Sequence, residues 1–202
     1  MPSHNSPRLL IGIMSMLRER DRRDAMRSTW LRPGLTEPDI TSRFVLGRTN
    51  ASDAEHEQQE HSDLVVLSCE ENQHRGKTLL WFQHALSLHG AHTEAALPFT
   101  HFAEMDLDVL LWPGELQAQM AEWATTGFYG GWPVDVYRRY WTEDRFVFTN
   151  GGFAVLSRDL PVDPTGNYDS IVGIEKFDDT LTFAGGVNLP KIIVCRGTDG
   201  NP

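Results

Sequence analysis

The chain predicts an α/β domain built on a largely parallel sheet. Two observations predict it. Apolar runs of strand length alternate with segments of helical spacing, and a carboxylate pair follows one of those runs, where such sheets bind ligands. In chain order the reading is strand, helix, strand, strand, helix, strand, helix. At 202 residues, one domain spanning 1–202 accommodates all of it.

Leu9 to Met14 is apolar throughout and reads as a buried strand. Ser15 then caps a helix through Thr29, with Leu17, Met26 and Trp30 turned to the core. Arg43 to Leu46 and Asp63 to Leu67 supply two more buried strands. The polar, histidine-containing stretch from Thr49 to Ser62 between them is an exposed loop or a short helix. Helical spacing returns from Lys77 to Leu88, where Leu79, Phe82 and Leu86 share a face. Phe99 to Met105 is the strand that delivers Asp106. Pro113 to Thr125 is a helix with proline in its first turn and Leu116, Met120 and Trp123 buried. Lys191 to Cys195, near the C-terminal end, is again strand-like.

Composition excludes several classes. A hydrophobic fraction of 40% and a charged fraction of 23% describe an ordinary globular protein. The net charge of -10 argues against a nucleic-acid partner, which calls for a basic footprint. Cys69 and Cys195 could form one long-range bridge, but both lie in apolar contexts that favour buried free thiols, with no zinc ligand set around them. No apolar run approaches the roughly 18 to 20 residues that span a bilayer. Met1 to Arg8 is polar and unlike a signal peptide, so the chain reads as soluble as given. Asn50-Ala51-Ser52 forms a glycosylation sequon.

The candidate chemistry centres on Asp106-Leu107-Asp108. In extended backbone, alternate side chains share a face, so both carboxylates can reach one divalent ion. Such hard oxygen ligands suit Mg²⁺ or Mn²⁺, and on their own they read equally well as turn residues after a strand. Arginine clusters early, at Arg18, Arg20, Arg22, Arg23, Arg27 and Arg32. That patch suits a compact anion such as a diphosphate, or equally a solvated helix face paired with Glu19, Asp21 and Asp24. Lys77 and Thr78 open a helix. Gly151 and Gly152 lack side chains and let backbone approach a ligand. Asp178-Asp179 reads on its own as a helix cap. Trp112 and Trp132 line an acceptor groove or belong to the core.

Taken in order, these segments resemble the β-1,3-galactosyltransferase and fringe-like glycosyltransferases, inverting hexosyltransferases of the GT-A fold. The residues carrying the resemblance are Arg22-Arg23-Asp-Ala-Met-Arg27-Ser-Thr29-Trp30, Phe44-Val-Leu46-Gly47, Asp63-Leu-Val-Val66, Lys77-Thr78, Asp106-Leu-Asp108-Val109, Gly151-Gly152-Phe-Ala-Val-Leu-Ser157 and Asp178-Asp179. Together they run from about Leu9 to Phe183.

The resemblance implies a Rossmann-like three-layer domain that moves a hexose from a UDP-sugar (UDP-Gal, UDP-GlcNAc or UDP-GalNAc) to a hydroxyl of a glycan or glycoprotein acceptor. It implies Mn²⁺ or Mg²⁺ on Asp106 and Asp108, and a donor cradle of Arg22, Arg23, Arg27, Lys77, Asp106, Gly151 and Gly152. It makes Asp179 the catalytic base, with Asp178 second. Relatives work in the Golgi lumen behind a membrane anchor that this chain does not show. Two departures stand out: Leu107 interrupts the acidic triplet common in the family, and no histidine follows His101, where the family often supplies a late metal ligand. The chain also reads as short at its C-terminal end. Competing readings are a haloacid-dehalogenase-like phosphatase, with Lys176 and Asp178-Asp179 completing the D-x-D-x-[TV] pattern, and an inactive carbohydrate-binding relative.

Overall fold

The computed structural model describes residues 7–32, 37–49, 51–71, 76–90, 99–135, 147–159 and 195–196. The strand Leu9–Met14 (β1), buried along its whole length, sits inside a six-stranded sheet. It pairs in parallel with Ile40–Leu46 (β2) on one side and His101–Asp106 (β4) on the other. Leu64–Val66 (β3) extends the sheet in parallel beyond β2. Val147–Ser157 (β7) joins β4 antiparallel, and Tyr129–Asp135 (β6) closes that edge, also antiparallel. The order is therefore β3-β2-β1-β4-β7-β6, parallel from β3 through β4 and antiparallel beyond. Val109–Leu110 (β5) and Cys195–Arg196 (β8) form a separate small ladder.

Among the described residues, four helices connect and cover the strands: Arg20–Ser28 (α1), Ala51–His61 (α2), Lys77–Gly90 (α3) and Pro113–Met120 (α4). Alternate β1 residues face opposite ways, so one strand feeds two cores. Leu9, Ile11 and Ile13 pack with Met26, Trp30, Ala54, Leu116 and Met120 from the side of α1, α2 and α4. Leu10 and Met14 pack with Trp81, Phe82 and Ala85 of α3. Helix, sheet and helix layers follow, which is the α/β architecture the alternation predicts.

Several local expectations need correction. Ser15 does not cap a helix. A 3-10 turn, Leu17–Glu19, precedes α1, and the Glu19 carboxylate accepts the Met16 N–H at 2.8 Å. Of the two readings for Thr49 to Ser62, the helix is the one found, Ala51–His61, with Ala54 and Glu57 buried rather than exposed. On α3 the inward residues are Lys77, Trp81, Phe82 and Ala85, while Leu79 and Leu86 are half-buried. Gly12 explains that face. A Cβ there would lie 2.2 Å from the Trp81 ring, so only glycine lets the indole lie on β1. Trp81 Nε1 also donates to Ala103 O at 2.8 Å, fixing the ring across two strands. The helix starting at Pro113 stops at Met120, short of the expected Thr125, although Trp123 is buried as foreseen.

Candidate functional site

β1, β2 and β3 step outward in one direction, whereas β4 lies on the other side of β1. The chain order therefore reverses between β1 and β4, and ligands bind beyond the carboxyl ends of strands at such a point. Asp106 is the last residue of β4 and lies in register with Met14, the last of β1. Gly152 immediately precedes Phe153, the partner of Met105, in the antiparallel strand β7, and so reaches the same end of the sheet. The structure thus brings Asp106 and Gly152 to one edge, with Gly151 next to them in β7.

Lys77 stands behind this edge. It is the first residue of α3, fully buried, and its Nζ donates to Ser15 O at 2.6 Å, immediately after β1. It also pairs with the Glu71 carboxylate, whose second oxygen accepts the Gly47 N–H at 2.5 Å, immediately after β2. Lys77 and Glu71 together bracket the ends of β1 and β2. A side chain at Gly47 would place its Cβ 2.8 Å from the Glu71 Cα, so that bracket needs glycine at 47.

Glu104 was not singled out in the sequence, although an acid inside an apolar strand and two residues before Asp106 is a signal. The strand alternation puts it on the face of Asp106. Burial pushes its carboxyl up to about 7, the Asp106 charge pushes the same way, and a hydrogen bond with Thr78 pulls back.

The strand ends at Asp106, and Leu107 and Asp108 form a turn. The premise that both aspartates lie in one extended strand is therefore corrected, with Asp106 half-buried and Asp108 exposed. Among the described residues, no group of three or more His, Cys, Asp or Glu side chains is placed to hold a metal. His101 sits at the opposite end of β4, about 16 Å from Asp106 by strand rise. It is sealed between Trp123 and Phe128, with ring nitrogens 2.8 Å from Thr100 Oγ1 and 3.0 Å from Ala124 O. Burial lowers its pKa.

The early arginines go elsewhere. Arg23 is fully buried, and its five N–H donors are all used within the protein. Nε and Nη2 hold the two Glu57 oxygens at 2.7 and 2.6 Å, Nη1 reaches Ser15 Oγ and Met16 O, and Nη2 also reaches Leu17 O. Arg27 bonds both oxygens of Asp63 and also Asp24 and Glu57, with its guanidinium 4.9 Å over the Phe44 ring. Burial works against the Arg27 charge, but the bonds from Asp63, Glu57 and Asp24 outweigh it and raise its pKa. This geometry gives Arg23 and Arg27 a structural position and not the anion-facing one that the resemblance implied. Arg22 is exposed, 3.7 Å from Glu19. An open cleft of about 610 Å³ borders this network, lined by Leu17, Arg18, Arg20, Asp53, His56 and Glu57. Asp178, Asp179 and Lys176 lie outside the described residues.

A mixed α/β sheet with an acidic strand terminus at its order reversal defines the class of architecture. Residues 21–140 match the family model described as Galactosyltransferase, and the chain belongs to that family. Among solved structures, the mannosyltransferase PcManGT from Pyrobaculum calidifontis, in complex with GDP-Man and Mn²⁺, superposes with a TM-score of 0.46 at 15% identity. That match covers 79% of this chain and 47% of that one. Short segments resemble two kinases. The serine/threonine-protein kinase tel1 of Schizosaccharomyces pombe is 40% identical over 52 residues, 26% of this chain, and the serine-protein kinase ATM of Sus scrofa is 50% identical over 46 residues, 23% of this chain. The chain spans about 2% of the length of these curated relatives.

Proposed function

We propose that this protein transfers a hexose from a UDP-sugar to a hydroxyl of a glycan or glycoprotein acceptor, with Asp106 and Asp108 on the donor side. The observation that carries the reading is the position of Asp106: within the matched residues of a galactosyltransferase family member, at the C-terminal end of the strand beside the order reversal. Family membership supports the reaction class, and the order reversal supports the place.

Two carboxylates with no histidine beside them among the described residues fit Mn²⁺ or Mg²⁺, which complete their shells with water and phosphate oxygens. Asp106 and Asp108 are the residues that would hold the ion. Bound there, it would supply Lewis-acid neutralisation of a diphosphate leaving group. The chain's own residues do the rest. Lys77 and Glu71 hold Ser15 and Gly47 in place, so the backbone at the ends of β1 and β2 is fixed before a nucleotide arrives. Gly152, in β7 alongside β4, leaves room at the same edge. Asp179 and Asp178, the base and its neighbour in the family reading, lie beyond residue 140 where the family match ends, so the proposal does not rest on them.

The test is calorimetry with UDP and Mn²⁺, followed by a screen of UDP-sugars for Mn²⁺-stimulated hydrolysis. Metal-dependent UDP binding that falls at least about tenfold in Asp108→Ala is expected, a loss of roughly 1.4 kcal/mol. Asp108 is exposed in a turn, so the variant keeps the fold. UDP binding that ignores both the metal and the substitution would overturn the reading.

A further inference from the structure

We infer that Trp112 is a stacking platform for a pyranose ring, at the far end of an exposed rail that begins at Asp108. In assigning that ring to the acceptor, the inference rests on the transferase reading above. The binding site itself does not.

Burial alternates strictly along the rail. Asp108, Leu110 and Trp112 face solvent, while Val109 and Leu111 are buried. Trp112 is 56% exposed and Leu110 39%. Among the described residues, the other exposed large apolar side chain is Val66, at 50%, on the edge strand β3. Two of those three therefore lie within four residues of the aspartate pair. An indole left in water forgoes the roughly 1.5–3 kcal/mol that burying a large apolar side chain gives.

The backbone beneath the ring is held on both sides. Trp112 is extended, at φ -106° and ψ 99°, between buried Leu111 and Pro113, the first residue of α4. Its carbonyl accepts the Leu116 N–H at 3.0 Å. A ring presented on a fixed backbone loses little freedom on binding.

The surrounding chemistry selects the ligand. A pyranose carries C–H groups on its face and hydroxyls around its rim. The face matches an indole, and the rim matches carboxylate acceptors. Glu115, three residues beyond Trp112, is exposed. A purely apolar ligand would leave that carboxylate unused, and a polyanion would be repelled by it and by the exposed Asp108. A neutral, hydroxyl-rich ring suits both the indole and the Glu115 carboxylate.

The experiment is an NMR titration of the Trp112 indole N–H, assigned by its loss in Trp112→Phe. The probes are methyl β-D-galactopyranoside, methyl N-acetyl-β-D-glucosaminide and lactose, with glycerol as the control for hydroxyl content. A saturable shift with at least one sugar and none with glycerol is expected. Trp112→Tyr, followed through its perturbed backbone amides, should hold affinity within about threefold, while Trp112→Leu should lose about tenfold or more. No saturable shift with any probe, or unchanged binding in Trp112→Leu, would overturn the platform. Because no donor is present, the outcome is independent of transfer. UDP and Mn²⁺ calorimetry on Trp112→Leu should match wild type. If wild type binds sugar but not UDP, the transferase reading fails and the platform stands.

Discussion

Arg23 and Glu57 meet in a two-bond pair, at 2.7 and 2.6 Å, with both side chains sealed from solvent. The pair joins α1 to α2, and the remaining Arg23 donors fasten Ser15, Met16 and Leu17. Removing one member leaves the other charge buried and uncompensated, a cost of about 3–5 kcal/mol. Arg23→Met should lose that much in urea unfolding at neutral pH. The double variant Arg23→Met/Glu57→Leu should be more stable than Arg23→Met alone, because both charges leave together. Additive losses would show that the two side chains do not depend on each other.

The same pair sets an acid limit. Burial alone would raise the Glu57 carboxyl, but bonds from Arg23 and Arg27 outweigh it and hold it at about 2, below its ordinary 4.5. A group depressed on folding contributes its stability above the unfolded value and loses it as pH falls through the folded one. The contribution, on the order of 3 kcal/mol, should therefore disappear between about pH 4.5 and pH 2. Melting curves across that window should show a steeper decline for wild type than for Glu57→Gln. Parallel curves would contradict the assignment.

Glu104 acts in the opposite sense. Its carboxyl rises from 4.5 to about 7, chiefly through burial, so the folded chain holds that proton more tightly than the unfolded one. Stability from this group is complete below pH 4.5 and is lost as pH rises through 7. In the metal-free protein, Glu104→Gln should be neutral at pH 4.5 and stabilising by about 3 kcal/mol at pH 8. Equal effects at both pH values would place the carboxyl in water.

These residues also mark how much the sequence discloses. β1 was legible because six apolar residues in a row leave no other reading, and Asp106 was legible as the residue that ends a strand. α2 reads equally as loop or helix because its exposed face is polar and one of its buried residues, Glu57, is an acid. Glu57 becomes a core residue only through Arg23, 34 positions earlier, and no local pattern announces that partner. The early arginines misled for the same reason. A cluster of cations looks like an anion site until its carboxylates arrive from Glu57 and Asp63. Ser15 looked like a helix cap, yet its hydroxyl accepts a bond from Arg23. Periodicity chose Leu79, Phe82 and Leu86 for α3, whereas a glycine on another element admits Trp81.

That contact yields the sharpest packing prediction. In Gly12→Ala the added methyl would fall 2.2 Å from Trp81 Cε2 and 2.6 Å from Nε1. The indole cannot swing aside freely, since leaving Ala103 O would strand a buried N–H. Overpacking against a pinned ring should cost about 3 kcal/mol, or more if the hydrogen bond is lost. Trp81→Leu alone should also cost about 3 kcal/mol, from the cavity it leaves. The double variant is the informative one, because the methyl then enters space the indole vacated. Its loss in thermal or urea unfolding should fall at least about 2 kcal/mol short of the sum of the single losses. A fully additive double variant would mean that Gly12 is required for something other than the ring lying on it.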